Sequence, residues 1–208
     1  MAMTYPDFDS ESHILNPPDD QELADDQKSL LSSKKPVIAI SGKSGCGNTT
    51  VTTLLSEFLG FRMINYTFRN LAKDLDIPLM DLIEKAKTDD KYDRQVDTKQ
   101  VELAKPGNTV LGSRLAIWVY PDAQLKIYLT ADSLTRAKRI HNREGGDLLQ
   151  IQQETQKRDQ EDQKRYLDLY GIDTNQFDFV DLVIDTAKYT PEQIVNQIAR
   201  ALYTKLQG

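Results

Sequence analysis

The stretch Val37-Ile38-Ala39-Ile40-Ser41-Gly42-Lys43-Ser44-Gly45-Cys46-Gly47-Asn48-Thr49-Thr50 decides the fold. Its β-branched apolar run reads as a buried strand, spaced glycines follow, and helix-like sequence begins at Asn48. Strand, glycine loop and helix in that order are the setting of a phosphate-binding P-loop. The chemistry is electrostatic. Successive backbone N–H groups form an anion-binding nest, and the helix directs its positive end at the same point. Gly42, Gly45 and Gly47 let the backbone approach phosphate oxygens closely. The candidate nucleotide-phosphate residues are thus Gly42, Lys43, Ser44, Gly45, Cys46, Gly47, Asn48, Thr49 and Thr50. Thr49 stands where the motif places a hydroxyl on Mg²⁺. One position departs from the pattern: Asn48 occupies the place of the motif's lysine. Asparagine can donate a hydrogen bond but carries no charge. Lys43, just after Gly42, is the candidate to supply that charge, against the plainer alternative that it points to solvent.

Composition bounds what else the chain can do. Its 208 residues suffice for one domain with a sizeable core, and 39% hydrophobic with 28% charged residues is ordinary for a soluble protein. A net charge of −6 argues against general nucleic-acid binding, which needs a basic face. The single cysteine, Cys46, excludes an internal disulfide. Apolar runs such as Leu115 to Tyr120 are too short to span a bilayer. With an acidic start and no apolar signal segment, the expectation is a cytoplasmic protein without membrane contact, a monomer by default. Residues 1–35 hold eight acidic residues against three lysines, which leaves −1 for residues 36–208. Few apolar residues and Pro17-Pro18-Asp19-Asp20 make residues 1–35 read as a mobile acidic tail. Removing residues 1–33 should then leave nucleotide affinity and the melting temperature nearly unchanged.

Beyond the loop, strands and helices alternate. Thr49 to Leu59 has helical apolar spacing and Gly60 as a C-cap; Phe61 to Asn65 reads as a second strand. Helices are expected over Thr67–Leu75, Leu79–Lys87 and Lys91–Lys105, then strands at Thr109–Leu111 and Leu125–Leu129. A helix over Ser133–Arg143, a fifth strand at Val180–Ile184 and a last helix from Thr190 complete the chain. Thr190 and Gln193 form a capping box, with Pro191 at the first helical position. The alternation implies an α/β fold with a five-stranded parallel sheet covered on both faces.

Gln152 to Arg165 contains nothing apolar. A helix polar all round cannot pack on a core, so it is solvated or closes over something polar. Gly145-Gly146 before it and Gly171 after it suit a hinged lid over residues 147–170. Arg158 and Arg165 lie two turns apart on it. Phosphoryl transfer asks a protein mainly to position phosphates and stabilise spread charge, and arginine's fork does both. Arg69 and Arg114, the latter at the carboxyl end of the third strand, are further candidates, because ligands bind at that edge of open α/β sheets. Arg136, Arg139 and Arg143 repeat on one helix, where a solvated face is as good a reading as phosphate contact; Arg139 is the donor-side candidate.

From Val37 to Leu202 the chain resembles a cytidylate kinase of the P-loop nucleoside monophosphate kinase family, in its short archaeal-type branch. The resemblance rests on the P-loop, Phe68-Arg69-Asn70-Leu71-Ala72-Lys73, Ser113-Arg114-Leu115-Ala116-Ile117-Trp118, and Pro121-Asp122-Ala123-Gln124-Leu125-Lys126-Ile127-Tyr128-Leu129. Arg158-Asp159 through Asp162 and Arg165-Tyr166, Tyr170-Gly171-Ile172-Asp173 and Asp181-Leu182-Val183-Ile184-Asp185-Thr186 add to it. It implies one domain over 36–208 with a monophosphate-binding helical insertion (67–105) and the lid. It also implies ATP-dependent phosphorylation of CMP or dCMP with Mg²⁺. Arg69 and Arg114 would grip the monophosphate, Arg94 and Asp97 would lie near the base, and Arg158 would bridge the phosphates. Asp162 and Arg165 would face the acceptor nucleotide. Besides Asn48, the departures are Gly112-Ser113 where the family has Glu-Gly, Ile117 in place of a glycine, and a shortened loop from Asn65 to Phe68. The alternative reading is a pseudokinase that binds nucleotide and signals through lid closure. A GTPase is disfavoured because no Asn-Lys-x-Asp motif occurs.

Overall fold

The structure, a computed structural model, describes residues 22–207. Its centre is β1 (Val37–Gly42), buried along its whole length. Strands β2 (Arg62–Ile64), β3 (Thr109–Gly112), β4 (Leu125–Thr130) and β5 (Leu182–Asp185) join it in one sheet of order β2-β3-β1-β4-β5. All pairings are parallel; Ile38 lies beside Val110 on one side and Leu125 on the other. A parallel strand buried on both faces needs an apolar run without alternation, which Val37-Ile38-Ala39-Ile40 supplies.

The helices are α1 (Asp25–Ser33), α2 (Asn48–Leu59), α3 (Phe68–Asp74), α4 (Leu79–Ala86) and α5 (Lys91–Ala104). They continue as α6 (Ala116–Val119), α7 (Ser133–Glu144), α8 (Leu148–Tyr170) and α9 (Pro191–Gln207). One core joins Ile38, Ile40, Leu125, Ile127 and Leu129 of the sheet to Val51 and Leu55 of α2 and Ile194, Ile198 and Leu202 of α9. The opposite face packs Val37, Ala39 and Leu111 against Ala104, Ala116 and Ile117. Helices α3–α5 hold a small core of their own, Leu71, Ala72, Leu82 and Val96. Among the described residues no helix is long and apolar enough to cross a membrane.

The local signals hold where they were strongest. Gly60 caps α2 at φ 66°, and Thr190 and Gln193 exchange both capping-box bonds, Thr190 N to Gln193 Oε1 at 3.0 Å and Gln193 N to Thr190 Oγ1 at 3.3 Å. The expected strand at 180–184 begins only at Leu182. Helix α6 was not expected; four residues carry too little periodicity to reveal it.

The acidic tail needs correction. Residues 1–21 lie outside the described residues, but α1 falls within the expected tail and is ordered against α9. Leu23 is 6% exposed and Leu31 1% exposed, both in the main core. Mean composition hid them because the acids surround two well-placed leucines. Replacing a buried leucine by alanine costs about 2–5 kcal/mol. Leu31→Ala is therefore expected to lower the melting temperature by roughly 5–15 °C, at about 2–4 °C per kcal/mol for a domain of this size. An unchanged melting curve would show that α1 does not pack.

Candidate active site

The P-loop crosses the carboxyl edge of the sheet. Gly45 takes φ 81°, and a Cβ there would lie 2.9 Å from Cβ of Arg136, so α7 fits directly under the loop. Arg136 is 4% exposed. Its Nη1 donates to Ser44 O at 2.9 Å, and its Nη2 pairs with Asp159 Oδ2 of α8 at 2.7 Å. Arg139 donates to Gly45 O (3.3 Å), Thr186 Oγ1 (2.8 Å) and Thr186 O (2.8 Å). Thr186 in turn donates to Cys46 O at 2.9 Å. Loop, α7 and the end of β5 are thus one hydrogen-bonded block. Burial pushes the Cys46 thiol above its ordinary value, which keeps it protonated inside that block.

Asn48 does not face outward from the loop. Its Nδ2 donates to Ile40 O and Ser113 O, each at 3.3 Å, and its Oδ1 accepts from Thr52 Oγ1 at 3.1 Å. The carboxamide knits the carboxyl ends of β1 and β3 together. Gly112 makes the space for it: a Cβ there would lie 2.4 Å from Thr52 Oγ1 and 3.0 Å from Asn48 Oδ1. Asn48, Thr52 and Gly112 are therefore one packing unit, and two departures from the family pattern turn out to be neighbours. Lys43 Nζ reaches Asn175 Oδ1 at 3.3 Å, beyond α8 in the chain. Thr49 is exposed on the first turn of α2, so its hydroxyl is open to a ligand, as is that of the exposed Thr50.

Helix α8 runs over this edge. Its only buried residue is Thr155, within the stretch from 152 to 165 that contains nothing apolar. Gln152 and Gln156 donate to Ser133 Oγ of α7 at 3.1 and 3.0 Å. Arg114 forms an ion pair with Asp162. Burial lowers the Arg114 pKa, and Arg158 nearby adds to that. Gly42, Lys43, Arg114, Asp159, Asp162 and Tyr166 enclose a cavity of about 20 Å³, roughly the room for one water. Arg158 is exposed and takes no partner among the described residues.

Arg165 points elsewhere. It grips both carboxylate oxygens of Asp93 on α5 and donates to Ala86 O at 3.0 Å, and the Asp93 bonds raise its pKa. It lines a larger groove of about 520 Å³ between the α4–α5 turn and α8, of mixed charge. Arg94 spans Asp90 Oδ2 (2.9 Å) and Leu169 O (2.9 Å). Asp97 accepts from Tyr170 Oη at 2.6 Å and Gln100 Nε2 at 3.3 Å. Burial, then the Asp93 charge, push the Asp97 carboxyl up to about 6, against the opposing Tyr170 bond. Arg69 is exposed on α3. The structure therefore gathers Lys43, Arg114 and Asp162 beside the P-loop, and Arg94, Asp97 and Arg165 along the seam between α5 and α8. Arg69 and Arg158 stand apart from both.

Sequence reasoning missed Arg136, Asp159 and Asp93. For Arg136 a signal existed. It sits with Ala137 and Ile140 on the buried stripe of α7, and a charge on an apolar stripe implies a fixed partner.

A five-stranded parallel sheet with a P-loop at its carboxyl edge and a polar helix above it defines a P-loop kinase fold. Shikimate kinase from Acinetobacter baumannii in complex with shikimate superposes with a TM-score of 0.57 at 18% identity, over 84% of this chain and 97% of that one. By sequence, a model of the cytidylate kinase-like family matches residues 37–188, and the chain belongs to that family. Cytidylate kinase 2 of Borreliella afzelii is 44% identical over 165 residues, 77% of this chain and 93% of the relative. Cytidylate kinase of Pyrococcus horikoshii is 37% identical over 170 residues, 81% and 88% of the two chains.

Two measurements test the site's construction. Gly112→Ala should destabilise the protein by about 1–3 kcal/mol through overpacking, and Thr52→Ala in the same chain should recover part of the loss. Additive losses in the double mutant would separate the two residues. The raised Asp97 value means that the folded chain holds a proton which the unfolded chain has already released between about pH 4 and 6. Asp97 thus favours folding below that window, and the contribution is lost as pH rises through it. Asp97→Asn should flatten the pH dependence of the melting temperature across the window; an unchanged slope would refute the assignment.

Proposed function

We propose that this chain transfers the γ-phosphoryl group of ATP to CMP or dCMP, with Mg²⁺. The observation that carries the reading is Arg114. It stands at the carboxyl end of β3 beside Gly42 and Lys43 of the P-loop, paired with a carboxylate of α8 that an anionic ligand can replace. An acceptor phosphate oxygen attacks the γ-phosphorus while the bond to the bridging oxygen of ADP breaks. The attacking oxygen is already ionised, so no general base is needed, and the protein's task is alignment and charge.

In this reading Arg114 and Arg69 grip the acceptor monophosphate, and Arg158, unpartnered on α8, swings to bridge the phosphates. Arg94 and Asp97 sit near the base, while Asp162 and Arg165 face the acceptor from α8. On the donor side the P-loop amides, Lys43 and Arg139 hold ATP. Lys43 supplies the charge that Asn48, committed to Ile40 and Ser113, cannot bring. Thr49 offers the Mg²⁺ ligand. Among the described residues no cluster of three His, Cys, Asp or Glu exists, and Thr49 is the residue that would hold the ion. Bound there, Mg²⁺ neutralises charge on the transferring phosphates. A 20 Å³ cavity cannot admit a nucleotide, so α8 acts as a lid over residues 147–170 and lifts to admit substrates, with Gly145-Gly146 and Gly171 as hinges.

A coupled assay of ATP with CMP, dCMP, UMP and AMP tests the activity, with turnover expected on the two cytidine nucleotides. Nucleotide binding without turnover would instead support the pseudokinase. Arg114→Ala or Arg69→Ala should each weaken CMP by roughly 10- to 150-fold, the equivalent of a charge-assisted hydrogen bond of about 1.5–3 kcal/mol, with ATP little changed. Equal weakening of both nucleotides would move these arginines to the donor side or to the fold.

A further inference from the structure

Arg136 lies outside the machinery above, yet it is the most deeply buried cation at the loop. Its side chain is 5% exposed and that of Asp159 14%. A buried guanidinium needs a counter-anion, since an unpaired charge there costs several kcal/mol. Asp159 is that anion, and it is placed oddly for a structural partner. It sits on the helix that covers the site, and it lines the same cavity as Gly42 and Lys43. A phosphate chain seated in the loop would meet the Asp159 carboxylate and be repelled by it. Asp159 would have to leave, and Arg136 would then be stranded unless the incoming phosphate took its place. Nothing in α7 needs to move for this exchange, because Arg136 stays anchored to Ser44 O through its other nitrogen.

We propose that Arg136 is a phosphate-binding residue of the donor site, and that Asp159 holds its anion position until the triphosphate of a nucleotide displaces it. The proposal rests on the reading that the P-loop takes ATP. Asp159 is then a built-in competitor, and its charge trades ATP affinity for a closed, ion-paired unliganded state.

The test is Asp159→Asn in the full-length protein, with Mg²⁺ and ATP followed by calorimetry and thermal shift. Removing the competitor should tighten ATP by about five- to tenfold, because only the charge, and little of the shape, is lost. The unliganded melting temperature should fall while the ATP-induced rise becomes larger than in the parent. Glu161→Gln removes the same charge from the exposed side of α8 and should leave ATP affinity unchanged. Arg136→Lys keeps a charge for Asp159 but loses the fork that serves Ser44 and phosphate together, so ATP should weaken about tenfold. Unchanged or weaker ATP binding in Asp159→Asn assigns the pair to the fold and overturns the proposal, as does full ATP affinity in Arg136→Lys. Equal tightening by Glu161→Gln would overturn it too, by showing a general charge effect. A parent and variant that both fail to bind ATP would overturn the proposal together with the reading beneath it.

Discussion

Two guanidinium groups at the carboxyl edge of the sheet each require an anion, and much of the site follows from that requirement. Arg136 and Arg114 are held in place by the loop and by β3, in surroundings too dry for an unpaired charge. Helix α8 supplies Asp159 and Asp162, one turn apart, and this pair of ion pairs rather than any apolar contact fastens the helix over the P-loop. Hydrogen bonds from Gln152 and Gln156 to Ser133 and the Arg165–Asp93 pair hold the same helix along its length. The ion pairs make its position conditional, since a phosphate can take the same bidentate pairing with a guanidinium that a carboxylate does.

The loop itself is unusually self-contained. Asn48, in the place of a lysine, is spent on the carbonyls of Ile40 and Ser113, and Gly112 clears the room that its carboxamide and Thr52 occupy. The two changes have one physical cause: a neutral hydrogen-bonded plug replaces a charged position and a bulkier neighbour. In the proposed function, phosphate binding at this loop rests on backbone amides and on cations from elsewhere, of which Lys43 and Arg114 line the cavity.

The sequence placed the sheet, the loop and the last helix well, because each rests on short-range patterns. Val37 to Ile40 has no polar alternation, the glycines recur at fixed spacing, and α9 announces itself by Thr190, Pro191 and Gln193. It misread residues 22–35, where the buried Leu23 and Leu31 were outvoted by acids, and it could not see α6, which is too short to show a period. The resemblance singled out both Arg114 and Asp162, and the structure pairs them with each other. For Arg136 a solvated face and phosphate contact were equal readings, although its neighbours Ala137 and Ile140 mark its face as buried.

What the sequence determined alone is the α/β alternation, the P-loop and the polar helix, since hydrophobic period, glycine spacing and capping residues act over a few positions. What only the tertiary structure decided is pairing across long separations. That Asn48 turns under the sheet edge, that Arg165 holds Asp93 72 positions away, and that Arg136 meets Asp159 depend on how α7, α8 and the insertion converge on one edge. A charged side chain's identity states that it needs a partner; only the packing of the sheet and helices chooses which one.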